Sequence, residues 1–225
     1  MSTKLSNTQF SKIFDKIAPQ YNSILNKYAV SRRIEFIAKY AKGKCLEVGA
    51  GNGIIAISLR KKHQVTATDI SSEMVKQIRM NKIKAYVCDA EKLPFKDKTF
   101  ETVIAAELIY YLDHPEKFIS EAYRILKPNG KLIITSASNI TLIYDKIRTF
   151  FRKIGFRGMY FNDQNKRFIT QDKLFGLLSQ GNFIIKTKEK TIIFPFFITD
   201  KINRFIEKTF FNCFSSFIFI KAQKC

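Results

Sequence analysis

A strand-like run that ends in three closely spaced glycines and passes at once into a helical pattern constrains this chain more than any other feature. The segment is Cys45-Leu-Glu-Val-Gly-Ala-Gly-Asn-Gly53. Glycine permits φ > 0 and lets a ligand approach main-chain N–H groups closely. In open α/β sheets, such a loop at the carboxyl end of a strand is where nucleotides bind.

The periodicity downstream agrees with that architecture. Short runs rich in Val, Ile, Ala and Thr lie at 44–48, 65–69, 84–88, 102–106 and 131–135, and helical patterns occupy 54–62, 72–81 and 114–126. The last of these closes on LKPNG, a helix stop and turn. Strands separated by helices imply parallel pairing through right-handed crossovers, hence a doubly wound Rossmann-like α/β sheet. Residues 8–41 read as two or three amphipathic helices, a polar and basic stretch at 145–168 interrupts the pattern, and the tail offers a helix (170–180), a strand (183–194), a helix (199–211) and a strand (216–222). The expected organisation is one domain over 1–225. It comprises a helical cap (1–41), a cofactor-binding core (42–136), an insertion near the substrate site (137–170) and the rest of the sheet (171–225).

Acidic residues at the strand ends narrow the ligand. Asp69 ends the second strand, 20 residues after Gly49, where a carboxylate can accept hydrogen bonds from ribose hydroxyls. A dinucleotide fingerprint wants a glycine where this chain has Ile54, and the spacing here is G-x-G-x-G. Glu47, just upstream, would repel a pyrophosphate and suits a cationic amino-acid group. Cys88-Asp89-Ala90-Glu91 sets another carboxylate at the end of the third strand. Taken singly, Asp69 and Asp89 read equally well as turn residues, and Met74 and Tyr21 as core.

With LEVGAGNG, TDIS-x-x-M (68–74), CDAEKLPF (88–95), FETVIAAELIYYL (100–112) and ILKPNGKLIIT (125–135) in order, the sequence resembles class I S-adenosylmethionine-dependent methyltransferases, the ubiquinone/menaquinone-type (methyltransferase type 11) branch. The resemblance covers roughly residues 14 to 135 well and the tail in outline. It implies a seven-stranded sheet, mostly parallel with one antiparallel strand near the C-terminus. S-adenosyl-L-methionine is the implied cofactor, S-adenosyl-L-homocysteine its product, and no metal is expected. By family pattern Glu47 and the loop of Gly49, Ala50, Gly51 and Gly53 hold the methionine part. Asp69 with Ile70 grips the ribose, Met74 packs on the adenine, and Asp89, Ala90 and Glu91 line its edge. Ala106 ends the fourth strand beside them. FDKIAPQYN (14–22) resembles the family's lid, with Tyr21 closing over the cofactor.

The pattern breaks where a His is usual after the fourth strand, for Tyr111 stands there; Asn129-Gly130 and Glu101 are minor departures. Methyl transfer mainly requires that the acceptor be aligned in line with the methyl group. A hydroxyl acceptor adds the need for a base. Glu107, Tyr110 and Tyr111 are candidates to face the acceptor, and His114 is a further one, though His114-Pro115 reads first as a helix start. None is assigned a proton. His63 reads as surface.

Composition fits this reading: 225 residues, 46% hydrophobic and 26% charged. No secretory signal is expected at the N-terminus, and the apolar runs at 192–198 and 217–220 are too short to span a bilayer. A cytoplasmic protein is expected. Cys45, Cys88, Cys213 and Cys225 form no CxxC pair and read as reduced thiols. The net charge of +20 comes from dispersed lysines without a run of five, which reads first as compositional habit. The expected partner is a small apolar or aromatic acceptor, methylated on oxygen or carbon, with the phenylalanines of the insertion and tail (Phe150, Phe151, Phe156, Phe161, Phe194, Phe196, Phe197) as a pocket or as core. A basic face also suits peripheral contact with anionic membrane. Two other functions stay open: methylation of tRNA or rRNA, which the charge favours, and a non-catalytic cofactor-binding regulatory module.

Overall fold

Five strands run in one direction because helices return the chain between most of them. The computed structural model describes residues 6–138, 169–191 and 217–225. β1 (Lys44–Val48), β2 (Gln64–Asp69), β3 (Lys84–Val87), β4 (Phe100–Ala106) and β5 (Leu126–Ala137) alternate with α4 (Ile54–Leu59), α5 (Ser72–Met80) and α6 (Pro115–Ile125). Before them come α1 (Asn7–Ile17), a 3-10 turn (Ala18–Gln20), α2 (Tyr21–Ile24) and α3 (Lys27–Tyr40); after them come α7 (Gln171–Gln180), β6 (Phe183–Thr191) and β7 (Phe217–Lys224). The helix starts are written in side chains. Ser6 and Gln9 form a reciprocal capping box on α1, and Asn26, Ser71 and Thr170 each accept an amide of the first turn of α3, α5 and α7.

The seven strands form one sheet in the order β3-β2-β1-β4-β5-β7-β6. β1 to β5 pair in parallel, and β7 runs antiparallel to both its neighbours. This is the mostly parallel Rossmann-like sheet with one antiparallel strand that the sequence leads one to expect. Both faces of the central strands are covered. Leu46, Val48, Val103 and Ile134 pack against Phe118, Ile119 and Ala122 of α6. Cys45, Ile104, Ile133 and Phe219 pack against Phe36 and Ile37 of α3 and Ile55 of α4. The strand order reverses between β1 and β4, and ligands of open α/β sheets bind beyond the carboxyl ends of the strands at such a point.

One boundary differs from expectation. LKPNG is more than a turn: Leu126 pairs with Phe100, so β5 starts there and reaches its regular ladder at Lys131 after a register shift. Asn129 absorbs the irregularity at φ +62. The strand read over 183–194 is described as far as Thr191, and the helix at 199–211 and the stretch at 145–168 lie outside the described residues, as do all seven phenylalanines named above. Cys45 and Cys88 are free thiols, each pushed by burial to about 11 and so kept protonated and unreactive, and Cys225 is free and exposed. Cys213 lies outside the described residues.

Candidate functional site

The carboxyl ends of β1 and β2 bring two buried carboxylates to one glycine loop. Gly49, Gly51 and Gly53 all have positive φ. Gly51 also lies under the ring of Tyr21: a Cβ there would meet the ring edge at 3.0 Å. The Gly51 N–H donates to Asp69 Oδ2 at 2.7 Å and the Ser71 N–H to Asp69 Oδ1 at 2.9 Å, with the Ile70 amide as a further donor to this carboxylate. Burial raises the Asp69 carboxyl to about 6, against the lowering effect of its backbone hydrogen bonds and with a further push from Asp15. Glu47 is more deeply set, 2% exposed. Its Oε2 accepts the Ala56 N–H at 2.8 Å, in the first turn of α4, while Oε1 takes no hydrogen bond among the described residues. Burial lifts this carboxyl to about 8. A cationic ligand group would relieve that burial of charge.

A second cluster stands at the carboxyl end of β4. Glu107 adopts φ +58, a left-handed conformation that a non-glycine residue rarely takes. It is held there from three elements. Its N–H donates to the Thr135 carbonyl at 2.9 Å, the Thr135 hydroxyl donates to Oε1 at 3.0 Å, and the Tyr110 hydroxyl donates to Oε2 at 2.8 Å. Arg33 of α3 places Nε 3.5 Å from Oε1. That Nε is buried and lacks hydrogen-bond geometry to any partner, so the guanidinium, lying over the Phe217 ring at 5.0 Å, has N–H groups to offer an anion. Tyr21 feels all of these charges. Burial first, and then Asp69, push its phenol to about 12, with Arg33 pulling the other way. Burial and Glu107 push the Tyr110 phenol well above its ordinary value.

The aromatic side of this cluster joins the N-terminal segment. Tyr111 meets Phe10 edge-on at 5.7 Å and Phe14 at 5.4 Å, and lies 4.8 Å from Tyr110, centroid to centroid. Rings in these contacts make an apolar wall with specific geometry. Asn22 and Asn52 pair across the same seam, leaving the buried Asn52 Oδ1 without a donor.

Several expected residues fall elsewhere. Met74 is fully buried against Ile17 and Ala18, because α1 lies over α5 and covers it. Asp89 and Ala90 do close the end of β3, and the Asp89 carboxylate accepts the Glu91 N–H at 2.9 Å. Glu91 itself turns to α6, where its Oε1 accepts the His114 N–H at 2.7 Å. His114 is exposed and pairs with Glu116, outside both clusters. Ile70 and Ala106 are half-buried at the ends of β2 and β4, and Ala50, behind the loop, is buried. His63 is half-buried in the turn before β2, away from the site. Among the described residues, no group of three or more His, Cys, Asp or Glu has a metal-binding arrangement, and no helix is long and apolar enough to cross a membrane.

Arg33, Asp15, Asn52 and Thr135 were not singled out in the sequence. Only Arg33 carries a local signal: it falls on the buried stripe of α3 between Val30 and Ile37.

Residues 46–134 match the family described as a methyltransferase domain. An uncharacterized protein of Methanocaldococcus jannaschii is 36% identical over 125 residues, covering 54% of this chain and 60% of that protein. The ubiquinone/menaquinone biosynthesis C-methyltransferase UbiE of Desulfotalea psychrophila is 32% identical over 157 residues, covering 63% of this chain and 64% of that protein. The chain thus spans about three fifths of the length of these curated relatives. A crystal structure described as a possible histamine N-methyltransferase from Thermotoga maritima superposes with a TM-score of 0.73 at 20% identity, covering 96% of this chain and 99% of that one, a likeness of fold.

Proposed function

We propose that this chain, which belongs to the class I S-adenosylmethionine-dependent methyltransferases of the type 11 branch, transfers a methyl group to a small apolar or aromatic acceptor, on carbon or oxygen. The observation that carries the reading is the pair of buried carboxylates at the glycine loop. Asp69 accepts the Gly51 amide of the loop and the Ser71 amide at the start of α5, and Glu47 keeps one oxygen without a donor. Two acids so placed fit a ribose diol and an ammonium group, and they disfavour a pyrophosphate.

Bound there, S-adenosylmethionine supplies a methyl group already activated on a positively charged sulfur. The chain's own work is positional. Asp69 would accept hydrogen bonds from the ribose hydroxyls, Glu47 would face the ammonium, and Arg33 would offer N–H groups to the carboxylate borne on the same carbon as that ammonium. Tyr21 covers the loop at Gly51. Glu107, fixed by Tyr110 and Thr135, keeps a carboxylate on the acceptor side. It can take a proton from a hydroxyl acceptor or orient one by hydrogen bonding. Phe14 and Tyr111, backed by the buried Phe10, form an apolar wall that suits a planar acceptor, in keeping with the quinone-pathway name of the UbiE relative. The basic surface suits passing contact with an anionic membrane that holds apolar acceptors.

Calorimetry with S-adenosylmethionine, S-adenosylhomocysteine and NAD tests the reading. The first two are expected to bind and NAD not to; tighter binding of NAD than of both would refute the assignment of the loop.

A further inference from the structure

α1 is fastened to the chain that follows β2 by a run of polar contacts. Ser11 Oγ donates to the Ile70 carbonyl at 3.1 Å, and Gln77 Nε2 donates to the Ala18 carbonyl at 2.8 Å. Between these, Asp15 Oδ1 accepts both the Ser71 hydroxyl at 2.6 Å and the Glu73 N–H at 3.1 Å. Ser71 is already committed in two other ways: its Oγ accepts the Met74 N–H at 3.1 Å, and its own N–H donates to Asp69 Oδ1 at 2.9 Å. Asp15 is therefore one serine away from the carboxylate at the end of β2.

Capping alone does not account for an acid at this place. Ser71 accepts the Met74 N–H and Asp15 the Glu73 N–H, so the two share the first turn of α5, while a second carboxylate beside Asp69 adds like-charge repulsion. What Asp15 adds is geometric. Its oxygen fixes the rotamer of Ser71 and the first turn of α5, and so the direction of the amide that orients Asp69. Residue 15 also lies outside the matched 46–134. The N-terminal segment thus contacts the matched region at the start of α5.

We propose that Asp15 is a positioning residue which, through Ser71, sets the Asp69 carboxylate for a ribose diol and so couples docking of α1 to cofactor binding. The proposal rests on the cofactor reading above. The coupling is reciprocal: the ribose, by fixing Asp69 and Ser71, also holds α1 in place.

A cycle of protein variant against ligand variant isolates the term. S-adenosylhomocysteine and its 2′,3′-dideoxy analogue are titrated into the parent chain, Asp15→Ala and Asp15→Asn, with thermal unfolding of each to confirm folding. Asp15→Ala is expected to bind S-adenosylhomocysteine about tenfold more weakly, while Asp15→Asn, whose amide oxygen accepts the same two donors, stays within about threefold of the parent. The dideoxy analogue is expected to bind the parent and Asp15→Ala equally. Equal losses for both ligands mean a merely structural role and overturn the coupling, as does unchanged affinity of Asp15→Ala for S-adenosylhomocysteine. If Asp15→Ala does not fold, Asp15→Glu, which moves the oxygens by one methylene, carries the same expectation. A parent chain that binds neither S-adenosylmethionine nor S-adenosylhomocysteine refutes the cofactor reading and the coupling together. Binding by the parent with no change in the variants refutes the coupling alone.

Discussion

Replacing Glu47 with Gln removes a proton that the folded chain holds and the unfolded chain releases. The carboxyl ionises at its ordinary 4.5 when exposed and at about 8 when buried at the end of β1. A folded value raised in this way gives stability that is fully present below 4.5 and is lost as the pH rises through about 8. Across that window the unfolded state binds one proton fewer, and stability falls by about 1.4 kcal/mol per pH unit. Between about pH 5.5 and 7.5 the parent should therefore lose roughly 2.5 kcal/mol relative to Glu47→Gln, which still accepts the Ala56 amide but has no proton to retain. Asp69 contributes in the same sense between 3.8 and about 6 in both proteins, so the difference between them reports Glu47. Urea unfolding with linear extrapolation at several pH values measures it. Parallel stability curves for parent and variant would refute the buried, protonated carboxyl. The cofactor adds a second readout. An ammonium at Glu47 ionises the carboxyl, so S-adenosylmethionine binding near neutral pH should release a proton, seen as a binding heat that varies with the ionisation enthalpy of the buffer.

Further predictions address the rest of the site. On the proposed reading Asp69→Ala removes the acceptor for the ribose hydroxyls and should weaken S-adenosylmethionine binding by roughly 1.5–3 kcal/mol in calorimetry, and unchanged affinity in a folded variant would sink the assignment. Gly53→Ala meets both a φ of +80 and an Ile78 methylene carbon 2.8 Å from the new Cβ. It should destabilise the chain by roughly 1–3 kcal/mol in chemical unfolding, and a parent-like midpoint would contradict the tight packing of the loop on α5. The basic charge separates acceptor classes. RNA binding should be weak and fall steeply with salt, and nucleoside mass spectrometry of tRNA and rRNA from a deletion strain should show no missing methylated base. A missing one would make RNA the acceptor.

Much of this was legible because it is local. KCLEV is bounded by Gly43 and the glycine loop, and β1 occupies those five residues. Glu47 and Asp69 announce themselves as acids at the ends of apolar runs. The start of β5 was hidden because Pro128 and Gly130 signal a turn, and only the pairing of Leu126 with Phe100, 26 residues away, makes that stretch a strand. The partners of the site were hidden for a similar reason. Asp15 lies among ordinary helical residues, and its contact with Ser71 spans 56 positions. Thr135 looks like any strand threonine until β5 sets it beside Glu107. Met74 reads as core from its helical spacing alone, and the structure buries it under α1 against Ile17 and Ala18, a covering set by tertiary packing.

The placement of β7 between β5 and β6 has a bearing on how the chain assembles as it is made. β6 pairs with β7 and with no other described strand, yet it is synthesised first. Until residues 217–224 emerge, Phe183–Thr191 has no ladder, and β5 presents a bare edge rich in Leu132, Ile133 and Ile134. Two unsatisfied edges on one nascent chain invite pairing with a neighbouring copy. On the waiting strand, Lys186, Lys188 and Lys190 alternate along the exposed face, where like charge repels another molecule of the same sequence.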